Sequence, residues 1–284
     1  MSLGAEIAAA LADIGRGPDH GIKLGEAALL LARKRRPGLR PDPYLRHLQK
    51  LARETGAFVR SMRPRGEAGE PAPEEVAEGL EHVLARRYGY CGNAQTYDEL
   101  ENADIARVID RRQGLPVSLA ILYIHAGRAT GAKVDAIDFP GHVLVRIEGG
   151  GRRVIVDPFI GGNTVDAVQL RALHKALSGL DSELAPAHWR RLSDRGVLVR
   201  LQNNIKSRLL EAGHMEDALS VVETMLAIAP DDAVSWRDAG LLRAKLDRIE
   251  GAVAALEEYL RRAGGDEQRY RVGVLLQELS ARLG

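Results

Sequence analysis

The chain has one cysteine, Cys91, among 284 residues. A single thiol cannot form an internal disulfide, nor can it supply a cysteine-rich zinc or iron–sulfur site. Aromatic residues make up only 4%, so Leu, Ala, Val and Ile must fill whatever core forms. Charge of one sign is also missing: 40 basic residues stand against 39 acidic ones, a formal +1. That balance gives no global electrostatic grip on nucleic acid or an anionic membrane, so neither is expected as a direct partner. No apolar run reaches the roughly 18 residues of a membrane-spanning helix. The first residues carry Glu6 and Asp13 within an apolar stretch and lack a basic n-region, unlike a secretory signal. A cytoplasmic protein is the expectation.

What is present suits a folded chain. Hydrophobic residues reach 45% and charged ones 28%, enough to bury a sizeable core. At about 150 residues per domain, the length suggests two domains. Only seven of the 40 basic residues are lysine, and the arginines are spread along the chain rather than gathered in a patch. The run Arg33-Lys34-Arg35-Arg36 precedes Pro37-Gly38, where cations suit the last turn of a helix and its dipole.

Helical spacing of Ala, Leu and Ile runs over 5–14 and 22–36, and again over 41–61. Residues 62–73 are rich in Pro, Gly and Glu and predict a loop. Helices are expected from 74 to 88 and from 99 to 112, separated by the turn Tyr88–Asn93. From Gly114 the chain is apolar on nearly every side until Gly131, which predicts a buried helix with Pro116 in its first turn.

The period then changes to two. Residues 142–147 and 153–157 flank Gly149-Gly150-Gly151, a hairpin signal. With Gly149-Gly150 as the turn, Val145 faces Val154 and Val143 faces Val156, giving one aliphatic face. A one-residue slip would set Val143 against Asp157. In the favoured register His142 lies directly across from Asp157, with Cβ atoms about 5 Å apart.

Beyond residue 199 the chain repeats at an interval of 34: Ala218 with Ala252, Val222 with Leu256. Trp236, Gly240 and Pro230 stand where a tetratricopeptide unit places its large, small and terminating residues. Two units (199–230 and 233–264) and a capping helix (266–282) are expected. Two units are too few to stand alone, so this tail should pack on the preceding domain.

A histidine facing an aspartate is two-thirds of a catalytic triad. The missing member should be a nucleophile at the N-terminus of a buried helix, where the dipole lowers a thiol pKa. The entrance of helix 115–130 has no cysteine. Taken alone, the pair reads first as a structural lock and only second as chemistry.

Gly114-Leu-Pro-Val-Ser-Leu-Ala120, Phe139-Pro-Gly-His142 and Val156-Asp-Pro-Phe159 resemble a transglutaminase-like domain. In that superfamily a Gly-x-Cys-x-x-x-Ala segment opens the central helix. Aligned on Gly114 and Ala120, its cysteine column falls on Pro116. The closer resemblance is to the bacterial SirB-type family, transglutaminase-like proteins with tetratricopeptide tails. It is carried by Tyr97-Asp98 near Asn102, by 108–119, by 138–146 and by Asp157-Pro-Phe159. Segments 26–32 and 89–93 extend it over nearly the whole chain. Asn102-Ala103 departs from that family's Asn-Ser.

The resemblance implies an α+β fold: a helical N-terminal segment (1–73) on a transglutaminase-like, papain-like core (74–195) with a small antiparallel sheet, then an all-α repeat tail (199–284). It also implies a missing part, because proline has no nucleophilic side chain and the SirB-type pattern itself carries Pro in that column. His142 and Asp157 are then a vestigial pair. Asn93, Asn102, Arg112, Pro116, Ser118, His142 and Asp157 are candidates to line the old substrate groove and hold a peptide or protein partner, which the repeats could hold as well or instead, as in a pure adaptor. The competing reading is a hydrolase or acyltransferase using Ser118 or Cys91 with His142 and Asp157. Neither reading calls for a cofactor or metal. The oligomeric state is not legible.

Overall fold

In the computed structural model, the residues described are 2–64, 69–265 and 267–283. The chain divides into two compact units, Asp19–Val197 and Met1–Pro18 with Leu198–Gly284. The first helix, α1 (Leu3–Arg16), therefore groups with the C-terminal helices. A single N-terminal segment over 1–73 packing on the core does not describe it.

The larger unit begins with α2 (Leu24–Arg35) and α3 (Asp42–Met62). Of the loop expected over 62–73, residues 65–68 lie outside the described residues. Helix α4 (Pro73–Leu80) continues through Glu81–Arg87 in wider π-type turns. A two-residue strand β1 (Cys91–Gly92) follows. The helix expected over 99–112 is split into a 3₁₀ turn (Leu100–Ala103) and α5 (Ile105–Arg111), because Asp104 caps α5 by accepting the amides of Ala106 and Arg107. Strand β2 (Gln113–Gly114) pairs parallel with β1 and leads into α6 (Pro116–Arg128).

Helix α6 is the centre of this unit. Every residue from Pro116 to Ile124 is buried. It packs against α2 and α3 and also against the sheet strands β3 (Lys133–Phe139) and β4 (His142–Gly149), which is why it is apolar all round. Pro116 sits at the first helical position, where its missing N–H leaves no bond unmade. Gly127 lets β3 approach closely: a Cβ there would stand 3.0 Å from Val134 Cγ2.

The sheet is antiparallel, in the order β3-β4-β5-β6, with β5 at Arg152–Asp157 and β6 at Asn163–Thr164. The period-two reading missed β3 and β6, and it placed the hairpin wrongly by two residues. Val145 faces Val156 and Ile147 faces Val154, not Val145 with Val154 and Val143 with Val156. The turn is Gly150-Gly151, both at positive φ (57° and 74°), as a type I′ hairpin requires. The reason for the error is general. A shift of two keeps every side chain on its own face, so burial determines parity but not the pairing. His142 pairs instead with Phe139, across the Pro140-Gly141 turn. Helix α7 (Ala167–Ser178) covers part of the sheet, burying Leu170 with Ile137, Phe139 and Leu144.

The second unit holds most of α8 (Asp194–Glu211), then α9 (Met215–Ile228), α10 (Ala233–Lys245), α11 (Ile249–Arg262) and α12 (Glu267–Ala281). The expected capping helix includes residue 266, which lies outside the described residues. Ala218, Val222, Ala252 and Leu256, the positions 34 apart, are all fully buried. Gly240 lies against Leu256, and Trp236 Nε1 donates to Pro230 O at 2.7 Å, tying each repeat element to its neighbour. α1 packs on α9, with Gly15 directly over the Ala227 carbonyl.

Candidate functional site

The parallel β1–β2 bridge brings the segment after Cys91 to the entrance of α6. Cys91 N donates to Arg112 O at 3.0 Å and Asn93 N to Gly114 O at 3.2 Å. The carbonyl of Asn102 then accepts twice, from Leu115 N at 3.1 Å and from Ser118 Oγ at 2.7 Å. Ser118 is fully buried. Its hydroxyl proton is committed to a backbone carbonyl, the ordinary use of a serine in a first turn.

Asn93 and Asn102 are equally occupied. Asn93 Nδ2 donates to Thr96 Oγ1 and to Asn102 Oδ1, and its own Oδ1 accepts Thr96 N. Asn102 Nδ2 donates to the carbonyls of Thr96 and Tyr97. Both side chains are buried. Together they brace loop 93–102 against the helix entrance. A buried amide network this fully satisfied rigidifies a loop and leaves no donor for a ligand.

His142 and Asp157 are together, as the sequence suggested, although by a diagonal path across the sheet and not as a directly opposed pair. Nε2 lies 2.9 and 3.0 Å from the two carboxylate oxygens. Asp157 Oδ1 also accepts Phe159 N at 2.9 Å, capping the 3₁₀ turn Pro158–Ile160. Both side chains are buried. The carboxylate fixes the ring orientation and leaves Nδ1 with no hydrogen-bond partner among the described residues.

Phe159 fills the next space. Its ring meets the His142 ring edge-on at 5.8 Å and Tyr97 at 6.0 Å, and it lies so close to Gly92 that a Cβ there would stand 2.4 Å from the ring. Cys91 is half-buried and free. No hydrogen bond joins it to His142 among the described residues. Arg112 is directed elsewhere, onto His47 and Tyr90. Of the groove candidates, then, Asn93, Asn102, Pro116 and Ser118 form one structural knot, His142 and Asp157 a second cluster, and Arg112 belongs to a third.

The motif reading passed over two residues. Phe159 enters the sequence pattern only as part of Asp-Pro-Phe. Tyr123, on α6, is fully buried, and burial pushes its phenol pKa up, helped by the nearby Glu81 and Asp157 charges. Its hydroxyl has no hydrogen-bond partner among the described residues, and Gly162 (φ 78°) faces it closely enough that a Cβ would stand 2.5 Å from the oxygen. An apolar helix pattern carries no signal for that contact. Among the described residues, no group of three His, Cys, Asp or Glu side chains is placed to hold a metal ion, and no helix is long and apolar enough to cross a membrane.

A model of the transglutaminase-like superfamily matches residues 42–203, more than half of the chain. The chain belongs to that superfamily. A tetratricopeptide-repeat model matches 205–277. The chain is 30% identical over 250 residues to a UPF0162 protein of Xylella fastidiosa strain 9a5c, covering 85% of this chain and 84% of that one. It is 28% identical over 205 residues to SirB1 of Salmonella typhimurium, covering 69% and 76%. It is thus a transglutaminase-like protein of the SirB type, with the α+β core and helical repeat tail that this implies. Among solved structures, menin matches with a TM-score of 0.41 at 10% identity, over 93% of this chain and 73% of menin; so loose a likeness carries no argument. The joining of such a core to tetratricopeptide helices points toward protein–protein interaction.

Proposed function

We propose that this chain is a non-catalytic transglutaminase-like protein that binds a peptide or protein partner at the relic groove around His142. One observation carries the reading: the first turn of α6 offers the imidazole nothing to activate. Pro116 has no nucleophile, and the Ser118 hydroxyl donates to Asn102 O. An imidazole–carboxylate pair without a nucleophile performs no acyl transfer, because the covalent step has no attacking atom.

The surroundings of the pair favour a partner. Ile160 is 52% exposed and Leu177 46% exposed. Ile160 follows Phe159 in the turn that Asp157 caps, and Leu177 lies against Gly141, the neighbour of His142. Tyr97 adds a third exposed apolar face beside Phe159. Apolar side chains gathered around a few buried polar groups are the ordinary make-up of a recognition surface. The repeat helices offer a second one, where Tyr270 and Val274 stand exposed one turn apart on α12.

Capture experiments with the full chain separate the two surfaces. Ile160→Ser with Leu177→Ser should abolish saturable capture of a partner from lysate, while Tyr270→Ala with Val274→Ala should leave it intact. The opposite pattern would move the recognition surface to the repeats and refute the groove.

A further inference from the structure

We propose that Arg112, with Arg40, forms a second site, distinct from the His142 groove, that recognises a carboxylate carried on an apolar group. Arg112 follows the last residue of α5 and adopts a left-handed conformation (φ 60°, ψ 17°) that residues other than glycine enter at a cost. The conformation accompanies an unusual placement of its side chain. The guanidinium lies over the rings of Tyr90 and Tyr88, at 4.9 and 5.6 Å from their centroids. Nη1 donates to His47 Nε2 at 2.8 Å and to the Tyr90 hydroxyl. Burial and the Arg112 charge lower the His47 pKa to about 4, so the imidazole is neutral and can accept this bond.

No carboxylate pairs with Arg112 among the described residues. Its neighbours are treated differently: Arg111 pairs with Glu99 and Glu101, and Arg36 with Asp104. Arg112 is thus a half-buried cation whose contacts are an imidazole and two phenols, with Nε and Nη2 left without a hydrogen-bond partner among the described residues. It borders a cavity of about 480 Å³, within the size range of small-ligand pockets. Arg40, also without an ion pair among the described residues, lines the same cavity.

The remaining walls define the ligand class. Leu39, Pro43 and Ile109 supply apolar surface. Asp110 contributes one negative charge, and its carboxylate accepts the Tyr44 hydroxyl at 3.0 Å. Two arginines against one aspartate leave a lining charge of +1, which suits a single negative charge better than a phosphate dianion. A guanidinium edge with two unpaired donor nitrogens matches a carboxylate. The apolar walls then hold the group attached to it. A chain-terminal carboxylate and a free small carboxylic acid share this chemistry.

The test is a titration of the full chain at constant ionic strength, followed through NMR resonances of His47 and Tyr44. The probes are N-acetyl-leucine, N-acetyl-leucinamide, 4-methylpentanoate and inorganic phosphate. N-acetyl-leucine should bind saturably, and the amide should bind at least about tenfold more weakly, as should N-acetyl-leucine to Arg112→Gln. Arg40→Gln, a substitution at an exposed position, should weaken binding with the melting temperature unchanged, and it keeps the test open should Arg112→Gln misfold. If 4-methylpentanoate equals N-acetyl-leucine, the source is a free acid; if it is weaker, a chain terminus; both support the site. Equal binding of the amide, tighter binding of phosphate, or no saturable response to N-acetyl-leucine overturns it.

Discussion

Both carboxylate oxygens of Asp157 reach one ring nitrogen of His142, Nε2, at 2.9 and 3.0 Å. The same carboxylate accepts Phe159 N, so one buried side chain joins β4, β5 and the turn after β5. Asp157→Ala leaves a buried imidazole N–H and a backbone N–H unpaired together. The expected loss is roughly 2–4 kcal/mol of unfolding free energy in a denaturant titration. A stability equal to that of the unmodified chain would show that the pair is not a structural lock.

Tyr123 and Gly162 make an opposite case. A buried hydroxyl without a partner is a liability, so Tyr123→Phe should be neutral or stabilise by up to about 1 kcal/mol. Gly162→Ala should be destabilising by about 2 kcal/mol or more, because a methyl group would collide with that hydroxyl and the backbone sits at φ 78°. Thermal melts should show a clear loss in Gly162→Ala and none in Tyr123→Phe. A clear loss in Tyr123→Phe would mean that the hydroxyl does have a partner.

The pH dependence of stability should carry a mark of His47. Its pKa falls from 6.5 in the unfolded chain to about 4 when folded, first through burial and then through the Arg112 and Lys50 charges, with Glu54 opposing. Since the unfolded chain binds the proton more tightly, stability is fully present above pH 6.5 and declines as pH falls toward 4. His125, lowered in the same direction by burial, adds to the effect. His47→Gln keeps an acceptor for Arg112 but does not titrate, so its stability should change less between pH 7 and pH 5. Equal slopes would contradict the burial argument.

In the repeat unit, Gly240→Ala tests how tightly α10 and α11 meet. The added Cβ would stand 2.4 Å from Leu256 Cδ2, so the helices must separate or Leu256 must leave its rotamer. A loss of about 1–3 kcal/mol is expected. An unchanged melting temperature would mean that the contact is soft.

The architecture was legible because its causes are local or periodic. An all-round apolar helix can only be buried, which placed α6; the 34-residue interval placed α9 to α11, whose repeating positions are all buried. The hairpin shows the limit. Alternation placed Val143 and Val145 on one face of β4, yet it gave no sign that α7 also covers Leu144 on the other face, it was blind to a shift of two, and the three consecutive glycines left the turn ambiguous. His142 still meets Asp157, because both lie on one face near the ends of their strands. The membership of the groove was less legible. Polar residues close to a motif look like ligands in a sequence, whereas Asn93, Asn102 and Ser118 spend their bonds on one another and on backbone. The cluster of His47, Tyr90 and Arg112 left no trace, since it joins three residues far apart in the chain that share no periodic pattern.

A non-catalytic role requires that His142 have no nucleophile to activate. The rate at which iodoacetamide alkylates Cys91, followed from pH 6 to 9 in the unmodified chain and in His142→Ala, measures this, with a fluorophosphonate probe reporting on Ser118 in parallel. The two proteins should give the same thiol profile and no serine labelling. Fast alkylation near neutral pH that disappears with the imidazole, or serine labelling that depends on it, would establish a working catalytic pair and contradict the reading of this chain as a binding protein.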